Sequence, residues 1–221
     1  MRHLGIFPFL LVLLSLSFSC KRDNSLLSSQ LRAFMSTEIH YSGDALCVVK
    51  NHVKDTTLRL ANCMVIYIDS TQCHKCRIDN LGDYNSLQSY CREKGVNVVI
   101  LFSPSGDNVS DLLEELLEAK YIFPVFVDQY GVFPEMNPHI PPSLNFHAFL
   151  LNEEGFPIFV GDPIYSKSDK TFDLLKRIVD KRLTTYSSVK WSPELKNRDP
   201  SRMRLYAVCN PCFLHSKCWK E

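Results

Sequence analysis

The chain has 221 residues, which is room for one domain of about 150 residues with extensions and too little for two. Hydrophobic residues at 45% and charged residues at 22% make an ordinary globular composition. A formal charge of +1 excludes an overall field that would recruit nucleic acid or an anionic membrane, so partners must be found by local chemistry.

Nine cysteines, at 20, 47, 63, 73, 76, 91, 209, 212 and 218, are many for a cytosolic protein and moderate for a secreted one. Compartment therefore decides their reading, and the N-terminus speaks to compartment. Arg2 and His3 precede an apolar run from Leu4 to Phe18, too short for a span of about 20 residues but laid out as a signal peptide over residues 1–19. Cys20 follows Leu16-Ser17-Phe18-Ser19 and precedes the polar Lys21-Arg22-Asp23-Asn24-Ser25. This resembles a bacterial lipobox, with Ser17 where the usual Leu stands, and it makes Cys20 the expected site of lipid attachment. An anchor of that kind holds a domain at a membrane without a spanning helix. Export would place the other eight cysteines where disulfides persist.

Residues 20–40 are polar with scattered leucines and are expected to form a lipid-anchored tether. Ala45–Val49 reads as a short strand, and Lys50–Thr57 as a polar stretch. Cys63–Ile68 is an almost continuous apolar run rich in β-branched residues, as suits a strand covered on both faces. After Cys73-His74-Lys75-Cys76, the positions Ile78, Leu81, Tyr84, Leu87 and Cys91 recur at helical spacing. Gly82 marks a bend, and Gly95 stands at the position just past the helix end. Val96–Phe102 is a second buried strand, Asp111–Lys120 a second amphipathic helix, and Ile122–Val127 a third strand whose Pro124 suggests an edge or a strand start. A proline-rich loop spans 129–145. A hairpin of Phe146–Leu151 and Phe156–Val160 follows, and then a helix over Lys170–Leu183 with Phe172, Leu175, Ile178 and Val179 inward. This alternation predicts a mostly parallel sheet with helices on both faces and an antiparallel edge.

A C-x-x-C pair alone is half a zinc site as often as a redox centre. Here the pair follows a buried strand and opens a helix, where unpaired N–H groups and the helix dipole favour the thiolate, the nucleophilic form. Lys75 and Arg77 add positive charge. Cys76 lies one helical turn on, in reach of a disulfide with Cys73. The expected chemistry is attack by Cys73 on a partner disulfide and resolution by Cys76. A permanent structural disulfide, idle thiols and a metal site remain open alternatives.

The segments Tyr67–Ile78 and Phe146–Gly155, taken with the element order, resemble a thioredoxin-fold domain over Cys63 to about Leu183. The likeness is to extracytoplasmic thiol-disulfide oxidoreductases and the thioredoxin-like lipoproteins of Bacteroidetes. It implies a three-layer α/β/α sandwich with a mixed central sheet over residues 41–185, a redox-active Cys73/Cys76 pair, no cofactor, and disulfide-bearing proteins as substrates. It places substrate contacts at His74 and Lys75, and at Asn145 and Phe146, which stand where such proteins carry a proline segment facing the dithiol. Three positions depart from the family: Gln72 replaces a tryptophan, Tyr67 a buried acid, and Phe146 the cis-proline. With that proline gone, His147 becomes a candidate third metal ligand beside Cys73 and Cys76.

Residues 186–221 form a basic tail with Cys209-Asn210-Pro211-Cys212, His215 and Cys218, for which a local disulfide is the plainest reading. Cys47, Cys63 and Cys91 lie in apolar surroundings and are expected to be buried. The sequence thus predicts an exported thiol-disulfide exchange protein, lipid-anchored in a bacterial cell envelope and facing the periplasm. Its expected partners are disulfide-containing or dithiol envelope proteins, a membrane redox donor or acceptor and the membrane itself, with no nucleic acid. A redox-inactive binding or assembly lipoprotein and a Cys73/Cys76/His147 metal protein are the alternatives.

Overall fold

The computed structural model describes residues 20–166 and 170–188. The expected signal peptide and the tail bearing Cys209, Cys212 and Cys218 lie outside them. In chain order, α1 (Cys20–Met35) precedes β1 (Ser42–Val49), β2 (His52–Arg59) and β3 (Cys63–Asp69). The short α2 (His74–Asp79), a 3-10 turn (Leu81–Tyr84) and α3 (Asn85–Glu93) lead to β4 (Asn97–Ser103), α4 (Val109–Ala119) and β5 (Val125–Val127). Then come α5 (Val132–Met136), a 3-10 turn (Leu144–Phe146), β6 (Ala148–Leu151), β7 (Pro157–Val160) and α6 (Lys170–Ser188).

The strands form one mixed sheet in the order β2-β1-β5-β4-β3-β6-β7. β3, β4 and β5 run parallel, while β6 is antiparallel to β3 and pairs with β7 as a hairpin. With helices on both faces, this is a thioredoxin-like fold.

Side chains alternate across each inner strand, as a pleated backbone requires. Met64, Ile66, Ile68, Ile100, Phe102 and Leu150 face one way and meet Ile78, Leu87, Leu116 and Leu175 from α2, α3, α4 and α6. Val65, Tyr67, Leu101 and Phe149 face the other way. The crossovers from β3 to β4 and from β4 to β5 step in the same direction, so the right-handed rule puts their helices on the first face. The second face needs another cover, and α1 and residues 129–146 supply it.

This revises the expected tether at 20–40. Phe34 is 2% exposed and packs edge-on against Phe146 and Phe149 at 5.6 and 5.4 Å between ring centroids. Ile39 is buried too, and its N–H donates to the Gly155 carbonyl at 2.9 Å. That close approach explains the glycine: at φ +87° a Cβ on residue 155 would meet the Ile39 carbonyl oxygen at 3.2 Å. Asn137 clasps the same entry segment, accepting from His40 N and donating to His40 O at 2.8 and 2.6 Å.

Other boundaries shift for local reasons. The polar stretch after Val49 is β2, an edge strand whose Lys54 and Asp55 face solvent, so it lacks an apolar signal. β5 starts only at Val125, because Pro124 has no N–H to give a ladder and Ile122 lies exposed. The helix expected after Cys76 breaks into α2, the 3-10 turn containing Gly82, and α3. α3 ends as foreseen: Gly95 at φ +69° donates to Arg92 O, and Val96 N–H to Cys91 O, the paired bonds of a Schellman cap.

The 129–145 loop holds α5, organised by Asp128, which is fully buried. Its carboxylate accepts the N–H groups of Phe133 and Val132 at 2.8 and 3.0 Å and the Ser103 hydroxyl at 3.2 Å. A buried acid so supplied is a cap and not an orphan charge.

Candidate functional site

β3 ends at Asp69, and a four-residue turn carries the chain into α2. The turn is set by Asp69, whose Oδ1 accepts Thr71 N at 3.0 Å and Thr71 Oγ1 at 2.7 Å, an Asx turn. Gln72 N–H returns to Asp69 O at 3.2 Å. Cys73 then takes the N-cap position of α2 in extended backbone, and its Sγ accepts the N–H of Cys76 at 3.3 Å. Cys73 and Cys76 are disulfide-bonded, with Cα atoms 5.3 Å apart, and both are exposed. α2 has only six residues, so its macrodipole is slight and the local N–H at the sulfur is the main polar influence.

The cationic neighbours count for less than the sequence implies. Lys75 is 68% exposed and lies 3.7 Å from Asp79 one turn on, a solvated pair of little weight. Arg77 faces Asp162 at 3.9 Å and the Tyr165 ring at 5.2 Å. Asp162 also accepts the Tyr84 hydroxyl at 2.7 Å.

Gln72, where the resemblance leads one to expect tryptophan, is held on both ends of its amide. Its Oε1 accepts Arg77 Nε and Nη2 at 3.2 and 3.0 Å, and its Nε2 meets His147 Nδ1 at 3.2 Å and Tyr67 O at 3.3 Å. Tyr67, at the position of the missing acid, is buried against the His147 and Phe133 rings, at 5.1 and 4.7 Å between centroids. Burial first, then the Asp69 charge, pushes its phenol up to about 12, so it keeps its proton at neutral pH.

Of the remaining expected contacts, His74 turns back toward the end of β3. Its Nε2 donates to Asp69 O at 3.0 Å and its ring meets Phe102 edge-on. Phe146 is 1% exposed and packed on Phe34, so its side chain belongs to the core and is not presented to a substrate. Asn145 is exposed beside it, on the wall of an open groove of about 670 Å³ that also takes in Leu27, Arg77 and Tyr165. Cys20 opens α1, and its side chain lies outside the described residues.

The metal reading is not supported. Among the described residues no three of His, Cys, Asp and Glu are gathered as a metal would need. His147 Nδ1 is engaged by Gln72, and the two sulfurs are bonded to each other. In the sequence His147 is a candidate ligand, and Asp69 and Asp162 carry no assigned role. The Asp-x-Thr spacing of an Asx turn at 69–71 was the available signal for the first. Asp162 lies far along the chain from Arg77 and had none.

Cys47, Cys63 and Cys91 are buried thiols, as expected. Desolvation pushes Cys91 up to about 12. An alkylating reagent at neutral pH should therefore leave Cys91 unmodified in the folded protein and label it at once in denaturant, read by peptide mass spectrometry. Rapid native labelling would contradict its burial.

No family model matches the chain, and no curated protein matches it. Among solved structures it is similar to a putative thiol:disulfide interchange protein DsbE from Chlorobium tepidum, at 17% identity and TM-score 0.42, covering 65% of this chain and 96% of that one. It is also similar to Enterococcus faecalis AhpC, at 10% identity and TM-score 0.39, covering 71% and 100%. A third is an uncharacterized thioredoxin-like protein from Porphyromonas gingivalis, at 14% identity and TM-score 0.38, covering 66% and 93%. These likenesses are distant, and the fold is assigned from the chain's own strand order and helix placement.

Proposed function

We propose that this chain is a thiol-disulfide exchange protein of the bacterial cell envelope, held to a membrane through a lipid on Cys20. The observation that carries the exchange reading is an exposed Cys73–Cys76 disulfide at a strand-to-helix turn, with a backbone N–H already directed at Sγ of Cys73. In the direction that reduces this protein, a partner thiolate attacks Cys73 Sγ and the Cys76 thiolate leaves. The partner's second thiolate then attacks its own sulfur in the mixed disulfide, giving a partner disulfide and a Cys73/Cys76 dithiol. Two electrons pass from partner to protein, and protons from solvent complete the thiols. The reverse course starts from Cys73 thiolate, which the Cys76 N–H stabilises.

The export and anchor reading rests on the lipobox-like Leu16–Cys20. No helix among the described residues is long and apolar enough to cross a membrane. The partners fitting this reading are envelope proteins with accessible disulfides or dithiols and a membrane redox donor or acceptor. A second reading is a fixed disulfide that staples the turn, whose backbone Asp69 already holds at Thr71 and Gln72.

Insulin reduction driven by dithiothreitol tests the proposal. The intact protein should accelerate precipitation of the insulin B chain, and Cys73→Ser should return it to the uncatalysed rate. Equal rates for the two proteins would count against exchange.

A further inference from the structure

The exchange steps above use neither His147 nor Gln72, yet the two are joined directly behind the reactive turn. His147 is 5% exposed, with Nδ1 at 3.2 Å from Gln72 Nε2 and at 3.8 Å from Asp69 Oδ2. The Arg77 fork on Oε1 fixes which end of the Gln72 amide is oxygen, so the end facing the ring is the NH₂, a donor with no lone pair to offer. Nδ1 must then accept, which puts the ring proton of neutral His147 on Nε2. The Pro141 carbonyl also faces this ring and favours its protonated form.

We propose, building on the exchange reading, that His147 is a pH-responsive positioning residue: neutral, it holds Gln72 and so the turn bearing Cys73; protonated, it releases Gln72 and pairs with Asp69. Protonation turns Nδ1 into a donor, and two donors then face each other across 3.2 Å. The Asp69 carboxylate, at 3.8 Å, is the acceptor within a small ring movement. Gln72 Nε2 is left with Tyr67 O alone. Asp69 is also the residue whose other oxygens hold Thr71, Gln72 N and His74, so the exchange of partners reaches the whole turn.

The groups facing the ring are Asp69 and the Tyr67 phenol from β3, Arg77 from α2, Gln72 from the turn and the Pro141 carbonyl. Burial, the largest influence, opposes the imidazolium. Asp69 and Pro141 favour it, and Arg77 opposes it, leaving the balance below the ordinary histidine range. The holding form is thus the one present at neutral pH. The sign for stability follows: the histidine is more basic unfolded than folded. Its contribution is full above about pH 6.5 and is lost as pH falls through the folded value.

The test uses the full chain. Imidazole ¹⁵N spectra should show a bare Nδ1 at neutral pH and its protonation in acid. Over the same titration, corrected amide-exchange protection at Gln72 and Arg77 should fall about fivefold, the weight of one net hydrogen bond. The rate of disulfide reduction by dithiothreitol, divided by thiolate concentration, should fall by the same factor. His147→Asn, which keeps an acceptor and cannot titrate, should sit near the neutral plateau throughout, while His147→Leu should be low at every pH. A wild-type rate and protection that stay flat through acid, or a His147→Leu chain that matches wild type, overturns the inference and leaves exchange intact. If wild type does not outpace Cys73→Ser in the insulin assay, exchange itself fails. The spectra and protection factors then still decide whether His147 holds Gln72.

Discussion

Cys76→Ser should accumulate a covalent complex with a disulfide-bearing partner, and Cys73→Ser should accumulate none. With both cysteines present, the thiol one helical turn away resolves the mixed disulfide as an intramolecular reaction. Tethered groups act at effective concentrations around millimolar, against micromolar free thiol, so removing Cys76 should slow release by roughly 10³-fold. The asymmetry follows from position. Cys73 is the N-cap sulfur that accepts a backbone N–H, while Cys76 lies within the first turn and supplies that N–H. Non-reducing gels of the two variants, incubated with reduced-and-reoxidised envelope extract or with insulin, read the outcome. Equal trapping through either sulfur would show that the two positions are equivalent and would remove the basis for assigning Cys73 as nucleophile.

The second large effect concerns stability. Phe34→Ala should cost roughly 3–5 kcal/mol, the range for deleting a buried aromatic. Domains of this size are stable by only about 5–15 kcal/mol, so the loss is a large share of the total. Phe34 fills the second face of the sheet between Phe146 and Phe149, and Leu31 packs at its edge. Leu26, exposed on the same helix, is the internal control: Leu26→Ala should stay within about 0.5 kcal/mol. Urea melts of the two variants decide it. A Phe34→Ala loss no greater than that of Leu26→Ala would mean that α1 does not cover the sheet.

That helix shows where the sequence falls silent. β3, β4 and β6 were legible because strands buried on both faces read as unbroken apolar runs, and Gly95 was legible because only a left-handed residue closes a Schellman cap. α1 was not, because its inward face amounts to Leu31 and Phe34 among serines and charges, and its need arises from an uncovered sheet face far along the chain. β2 was missed for the opposite reason, since an edge strand needs little burial and only Leu58 is buried. At the site, the cysteine pair and its strand-to-helix setting were readable from spacing. The clamp on Gln72 was not: its partners lie five residues on, at Arg77, and 75 residues on, at His147. The placement of His74 was not readable either, because helical phase alone points it outward, whereas a local carbonyl and Phe102 draw it in.

The balance between an exchanging pair and a fixed staple comes down to an equilibrium. Incubation of the full chain in graded glutathione buffers, with thiol trapping of Cys73 and Cys76, measures the midpoint potential of the pair. Exchange predicts a value more oxidising than about −300 mV, where cellular thiol pools can turn the pair over. A pair that stays oxidised below that value would mark it as a staple and contradict the account.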